Sequence, residues 1–332
     1  MKTDFQKSPN FLIFCVSLYE EHTILKGEKC MSSHENLVEE LLESYRKISQ
    51  DNTPAWAVHK RNSDEIVNPT IPFVGKHYLE QPKKILVYAS AENLAGYYLG
   101  NTGEWYGDWL DDDRQAENRH RKCFDDPNFQ SDPFFPHVHI GPMNNGCLAT
   151  AVRFLAEKTC TVTTTDPRAF YETIAFGNYS KFSIETEMQK NIRTGNGAVG
   201  SSANIDFTQI PVKEAREKLN ASVEYLKKDI ALLEPDIVIL PENLYDRHKK
   251  SFDKIFNEID GHAVLIPIYQ INTGVVNRTI ARKFARYDVN RLSDPLKEWY
   301  AQLHQEGMTE TTKENYLSVF TYLDHKLEHS LR

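Results

Sequence analysis

Four short apolar runs most strongly constrain what this chain can fold into. The runs at residues 83–89, 173–176, 235–240 and 262–269 are rich in β-forming residues, and segments with helical spacing lie between them. This alternation is typical of parallel strands covered by helices. We therefore predict an α/β fold, a three-layer αβα arrangement with a central, mainly parallel four-stranded sheet and helical additions at both ends.

Helical patterns are found before, between and after these runs. We predict helices at residues 35–48, 90–99, 145–158 and 212–233, and a further helix that carries Arg278, Arg282, Lys283 and Arg286.

The chain divides into four predicted regions. Residues 1–30 are expected to be a dispensable extension or an artefact of start-site choice, because Met31 is followed by a capping-box pattern. Residues 31–69 form a helical lead-in. Residues 70–290 form the α/β core, with an insertion at 101–136, and residues 291–332 form a helical tail.

Composition excludes several classes of protein. With 332 residues, 40% hydrophobic and 26% charged, the chain has enough apolar residues for a sizeable core, so it is not disordered, collagen-like or a coiled coil. The net charge of −8 argues against a protein that coats nucleic acid by bulk charge, although a local basic groove is compatible with it.

The sequence also bears on cellular location and on membrane and metal binding. The longest apolar run, residues 11–18, is too short to span a bilayer, and no signal-cleavage pattern follows it. The five cysteines include no C-x-x-C pair, which argues against both a disulfide framework and a zinc site. We expect a cytoplasmic monomer that contacts no membrane and holds no metal.

Polar residues follow three of the predicted strands. Ser90, Glu92 and Asn93 come after the first, Asn178 and Tyr179 after the second, and Gln270 and Asn272 after the last. Ligands of parallel α/β sheets bind at the carboxyl ends of the strands. These residues are therefore expected to converge on one site.

The order of these strand ends resembles the uracil-DNA glycosylase superfamily. Residues 85–93 are similar to its first motif, residues 174–178 to the strand that ends in a base-reading Asn, and residues 266–274 occupy the place of its last motif. Residues 139–146 and 233–240 resemble two supporting segments. The resemblance covers about residues 70–290 and implies a DNA glycosylase, with DNA as partner.

Two departures from the family pattern bear on the substrate. Ala91 aligns with the catalytic carboxylate or amide, and Gln270 stands where a His is usual. The resemblance therefore implies a remodelled pocket for a modified or bulkier base, such as one carried by phage DNA, rather than uracil. Some members of the superfamily remove such bases as an antiviral defence.

Cleavage of an N-glycosidic bond requires oriented water, a negative charge near the sugar and donors to the departing base. Glu92 is the candidate for water and charge, with Asn93 placing the water. The alternative is that Glu92 is a helix-start acid favoured by the helix dipole.

The remaining candidates would contact the base. Asn178 offers the donor and acceptor that read a pyrimidine edge, or is a turn residue after Gly177. Gln270 and Asn272 would assist the leaving base, or form an ordinary turn. Three aromatic residues would stack on the base or belong to the core: Tyr179, Phe134 and Phe135. One of two histidines would donate a hydrogen bond or be structural: His137 or His139.

A basic segment follows the last predicted strand. Residues 274–291 contain five basic residues and one acidic residue, a local charge of +4. Arg278, Arg282, Lys283 and Arg286 are candidates for DNA-backbone contacts, although such runs are commonly solvated helix faces. The insertion at 101–136 is acidic, and repulsion of DNA, a specificity lid and partner docking all remain open for it.

The leading hypothesis is a monofunctional glycosylase that flips a base out of DNA and hydrolyses its glycosidic bond without a cofactor, leaving an abasic site for base-excision repair or defence. Two hypotheses of other classes stay open. One is a catalytically silent module that binds nucleic acid or a modified nucleotide, and the other is a nucleosidase that acts on small molecules.

Overall fold

The computed structural model describes residues 33–52, 58–60, 64–66, 69, 71–90, 145–159, 167–181, 212–259, 261–271, 273–303 and 309–331. Within them the fold is α/β, and its centre is a mixed sheet of five strands. A separate antiparallel pair, β1 (Val58–Lys60) and β2 (Asp64–Ile66), precedes the sheet.

The five strands of the sheet have the order β3-β5-β4-β6-β7. The pairs β5–β4, β4–β6 and β6–β7 are parallel, and β3 pairs antiparallel with β5 at one edge. The strands are β3 (Phe73–Val74), β4 (Ile85–Ala89), β5 (Ala175–Asn178), β6 (Ile237–Pro241) and β7 (Val264–Ile268).

Each of the four apolar runs overlaps a strand, and these four strands are the parallel ones. The predicted number of strands is wrong, because β3 makes the sheet five-stranded and mixed. A strand of two residues is too short to show any periodicity, and only its pairing with β5 identifies it.

Helices surround the sheet. Residues 273–275 begin a short helix that continues as a π-helix at Val276–Ile280, and a 3-10 turn follows at Val289–Arg291. The longer helices are α1 (Ser33–Asn52), α2 (Asn145–Thr159), α3 (Pro167–Tyr171), α4 (Val212–Leu233), α5 (Glu242–Glu258), α6 (Asp294–Gln302) and α7 (Glu310–Ser330).

Alternate strand residues enter two separate hydrophobic clusters, because successive side chains of a strand lie on opposite faces. Ile85 and Val87 pack with residues of α2, α3, α6 and α7 on one face. Leu86 and Tyr88 pack with residues of α1, α4 and α5 on the other. Helices therefore cover both faces of the sheet, and α7 contributes fully buried residues to the first cluster.

One helix prediction needs correction, and one helix was not predicted. The predicted helix that carries the basic residues ends at Ile280, so Arg282, Lys283 and Arg286 lie beyond it. The amide of Ala281 donates to the Val276 carbonyl at 2.9 Å, which closes a π-turn rather than extending an α-helix. The sequence reasoning also missed α5. Of the helix predicted at 90–99, only the first residue belongs to the described residues.

Candidate active site at the carboxyl edge of the sheet

The four parallel strands end at one edge of the sheet, and polar residues follow them there. Ser90 follows β4, Glu242 follows β6, and Gln270 stands two residues beyond β7. Asn178 is the last residue of β5. Since the strands are parallel, these residues share one edge of the sheet.

A side-chain hydrogen bond joins two of the predicted site residues across this edge. The hydroxyl of Ser90, a buried residue, donates to Oε1 of Gln270 at 2.9 Å. The strands β4 and β7 are not neighbours, because β6 lies between them, so the bond spans the end of β6. With its oxygen engaged, the exposed amide of Gln270 keeps Nε2 as a hydrogen-bond donor for a ligand.

Asn178 lies on the neighbouring strand. It is paired in register with Ala89 and is 1% exposed. The pairing continues past the strand ends, because the amide of Tyr179 donates to the Ala89 carbonyl at 2.8 Å and that of Ser180 to the Ser90 carbonyl at 2.9 Å. Asn178 and Ser90 are therefore held at the same edge by adjacent backbone segments.

Tyr179 belongs to the core. Its side chain is fully buried, and its ring packs against that of Phe252, with ring centroids 5.6 Å apart. Its hydroxyl lies 3.4 Å from Nδ1 of His248, a buried residue on α5. Burial lowers the pKa of His248, whose Nε2 has no hydrogen-bond partner among the described residues. The core alternative that the sequence left open describes the position of Tyr179.

Several predicted site residues lie outside the described residues. They are Glu92, Asn93, Phe134, Phe135, His137, His139 and Asn272. The catalytic roles predicted for Glu92 and Asn93 therefore stay predictions.

The basic segment is exposed, and part of it is engaged within the protein. Arg286 lies 3.0 Å from a carboxylate oxygen of Glu314 on α7, and Nε of Arg278 donates to the Gly274 carbonyl at 3.3 Å. Arg282 and Lys283 are exposed in the turn after the π-helix. Within the described part of the chain, no carboxylate forms an ion pair with either of them.

Sequence reasoning missed an acidic group at the same edge. Glu242, the residue directly after β6, binds Lys326 of α7 through Oε1 at 2.6 Å. Its Oε2 accepts from the Tyr322 hydroxyl at 3.3 Å, and that hydroxyl accepts from the Tyr269 amide at 2.9 Å. Burial, with the charge of Glu242, raises the pKa of Tyr322 well above its ordinary range.

The position of Glu242 directly after an apolar strand was the one available sequence signal. Its partners on α7 are about 80 residues away, and no pattern in the sequence links them to β6.

A buried polar network lies beneath the ends of β4 and β5. Asp229 of α4 accepts hydrogen bonds from Tyr45 at 2.6 Å, from Tyr88 at 3.0 Å and from the Lys181 ammonium at 2.5 Å. Burial raises the pKa of Asp229, and Lys181 opposes that shift. The network links α1, β4, α4 and the segment after β5, including the strand ends that carry Ser90 and Asn178.

The described residues contain no group of three or more His, Cys, Asp or Glu side chains placed to hold a metal ion. Among the same residues, every helix is too short or too polar to cross a membrane.

Comparisons of the chain with protein-family models, curated proteins and solved structures found no match.

Proposed function

We propose that the chain is a DNA glycosylase with a uracil-DNA glycosylase-like fold, which binds a flipped base at the carboxyl edge of its sheet. The proposal keeps a modified base, such as one in phage DNA, as the favoured substrate over uracil. We propose that the enzyme is cytoplasmic and monomeric and needs no cofactor. The observation that carries it is the Ser90–Gln270 hydrogen bond beside the end of β5, where Asn178 lies.

The chemistry needs hydrogen-bond donors and acceptors at fixed positions around a planar base. The Ser90 hydroxyl binds the amide oxygen of Gln270. The amide nitrogen of Gln270, Nε2, therefore donates to an acceptor on the ligand, such as a base carbonyl. Asn178 lies at the end of the adjacent strand, and we assign it the contact with the edge of the base. As the C1′–N bond breaks, such donors stabilise the negative charge that develops on the departing base.

The experiment is a base-release assay with the full chain. Duplex and single-stranded oligonucleotides carry uracil or 5-substituted pyrimidines, alongside phage DNA with modified bases, and mass spectrometry detects the free base. Alkali then cleaves the strand at abasic sites. We expect base release from at least one substrate and a lower rate for Gln270→Ala.

The other outcomes separate the competing hypotheses. DNA binding without base release from any substrate supports the silent binding module. Hydrolysis of free nucleosides, with no release from polymers, supports the nucleosidase. Either result overturns the glycosylase proposal.

A further inference from the structure

Glu242 occupies the middle of the proposed site. It follows β6, the strand that the Ser90–Gln270 hydrogen bond spans. Pro241 is paired in register with Ile268, so Glu242 and Tyr269 are the next residues along the two neighbouring strands. Glu242 therefore lies between the two strand ends that carry Ser90 and Gln270.

The surroundings of Glu242 hold its carboxylate in place and leave part of the side chain exposed. The Lys326 ammonium and the Tyr322 hydroxyl each donate to one carboxylate oxygen. The residue is also in the first turn of α5, where the helix dipole stabilises an anion. The side chain is 18% exposed, so part of it is open to solvent.

We propose that Glu242 is a catalytic carboxylate of this site. The inference rests on the proposed glycosylase function and deepens it. The ionised carboxylate stabilises the positive charge that develops at C1′ of the deoxyribose. This transfers to Glu242 the charge-stabilising role predicted for Glu92.

The reaction step balances with water as the only co-reactant. The C1′–N bond breaks, and its electron pair leaves with the base. The oxygen of water forms a new bond to C1′, and the carboxylate of Glu242 takes the proton that this water loses. That proton then passes to the departing base, which restores the carboxylate and yields a neutral free base and an abasic sugar.

A purely structural role for Glu242 makes a different prediction, because Lys326 belongs to the same ion pair. Lys326→Met breaks the pair and keeps the carboxylate, whereas Glu242→Gln removes the charge and keeps the shape. If the ion pair only joins α7 to the end of β6, the two variants have equal effects. If the carboxylate acts in catalysis, the Gln variant loses far more activity.

The test measures single-turnover base release by the full chain on the best wild-type substrate, with DNA affinity and thermal unfolding measured in parallel. We expect Glu242→Gln to slow release by at least about 100-fold, with DNA affinity close to wild type. Lys326→Met is expected to slow it by less than about tenfold. Formate is expected to restore part of the activity of Glu242→Ala, because it supplies the missing carboxylate.

Equal rates for Glu242→Gln and Lys326→Met, or no formate rescue of a folded Glu242→Ala, overturn the role of Glu242 and leave the glycosylase proposal standing. Absence of base release by the wild type on every substrate overturns both. Release by the wild type together with full release by Glu242→Gln overturns the Glu242 proposal alone.

Discussion

The ammonium of Lys181 and the carboxylate of Asp229 form an ion pair in which neither side chain is exposed to solvent. The pair joins the segment after β5 to α4. The hydroxyls of Tyr45 and Tyr88 donate hydrogen bonds to the same carboxylate. Lys181 stands only three residues after Asn178. The position of a candidate site residue therefore depends on a charge pair in the interior.

Removal of the Lys181 charge is expected to destabilise the protein strongly. Lys181→Met leaves the Asp229 carboxylate buried without its counter-charge, which costs about 3–5 kcal/mol of unfolding free energy. The double variant Lys181→Met/Asp229→Leu is expected to recover part of the loss, because both charges are gone. Urea unfolding followed by circular dichroism measures the difference. A cost below about 1 kcal/mol for Lys181→Met contradicts the prediction.

Gly75 is expected to tolerate no side chain. A Cβ at this position would lie 2.3 Å from the carbonyl carbon and oxygen of Glu172, and backbone cannot move aside as a flexible side chain can. We expect Gly75→Ala to lower the unfolding free energy by at least about 2 kcal/mol.

Gly177→Ala is the matched control for Gly75→Ala. The three atoms nearest to its Cβ would belong to Pro72, at 3.4 Å or more, which is ordinary contact. We expect a change within about 1 kcal/mol, measured in the same urea titration. Similar losses for the two glycine variants would contradict the steric argument.

His248 is expected to make stability fall in mild acid. Burial lowers its pKa in the folded protein, so below about pH 6.5 the unfolded chain binds a proton that the folded chain does not. Stability therefore decreases as the pH falls from about 6.5 until the lower, folded-state pKa is passed. The slope from this one group is at most about 1.4 kcal/mol per pH unit.

Thermal unfolding between pH 5 and pH 8 tests this dependence. His248→Gln is expected to flatten the acid side of the stability curve relative to the wild type. An unchanged slope in His248→Gln would show that another group sets the acid dependence.

If the chain binds DNA as proposed, two substitutions in or beside the basic segment are expected to have opposite effects on DNA affinity. Arg282 is exposed and forms no ion pair within the described residues, so Arg282→Ala is expected to weaken binding and to reduce the salt slope by about 1. Glu314→Gln releases Arg286 from its ion pair and removes a negative charge, so we expect tighter binding.

Fluorescence anisotropy with labelled DNA over a range of salt concentrations measures both effects. Lys254→Ala is the control. Lys254 lies on α5, outside the basic segment, and pairs there with Glu258. Equal salt slopes for the wild type and Arg282→Ala would contradict a phosphate contact by Arg282.

Much of the sheet was predictable because burial on both faces imposes a strong local pattern. A strand such as β6, with every residue buried, has to be apolar throughout, and this is visible in a single sequence. The helix α5 was passed over although its buried residues recur at helical spacing, so its periodicity was visible in the sequence. The edge strand β3 was missed because it has only two residues.

The candidate site was predictable only where it depends on strand ends. Ser90, Asn178 and Gln270 follow recognisable strands, and parallel pairing brings them to one edge. Glu242 was passed over because its partners Tyr322 and Lys326 come from the last helix of the chain. Nothing local in either segment indicates that they meet.

The sequence by itself determined the parallel strands, the alternation of strands with helices, and the polar residues at the strand ends, because these depend on local apolar patterning and chain direction. Only the tertiary structure decided the strand order that places β6 beneath the Ser90–Gln270 bond. It also decided the pairings of Lys181 with Asp229 and of Glu242 with Lys326. Those contacts join residues far apart in the chain, and packing of the two helical layers on the sheet selects them.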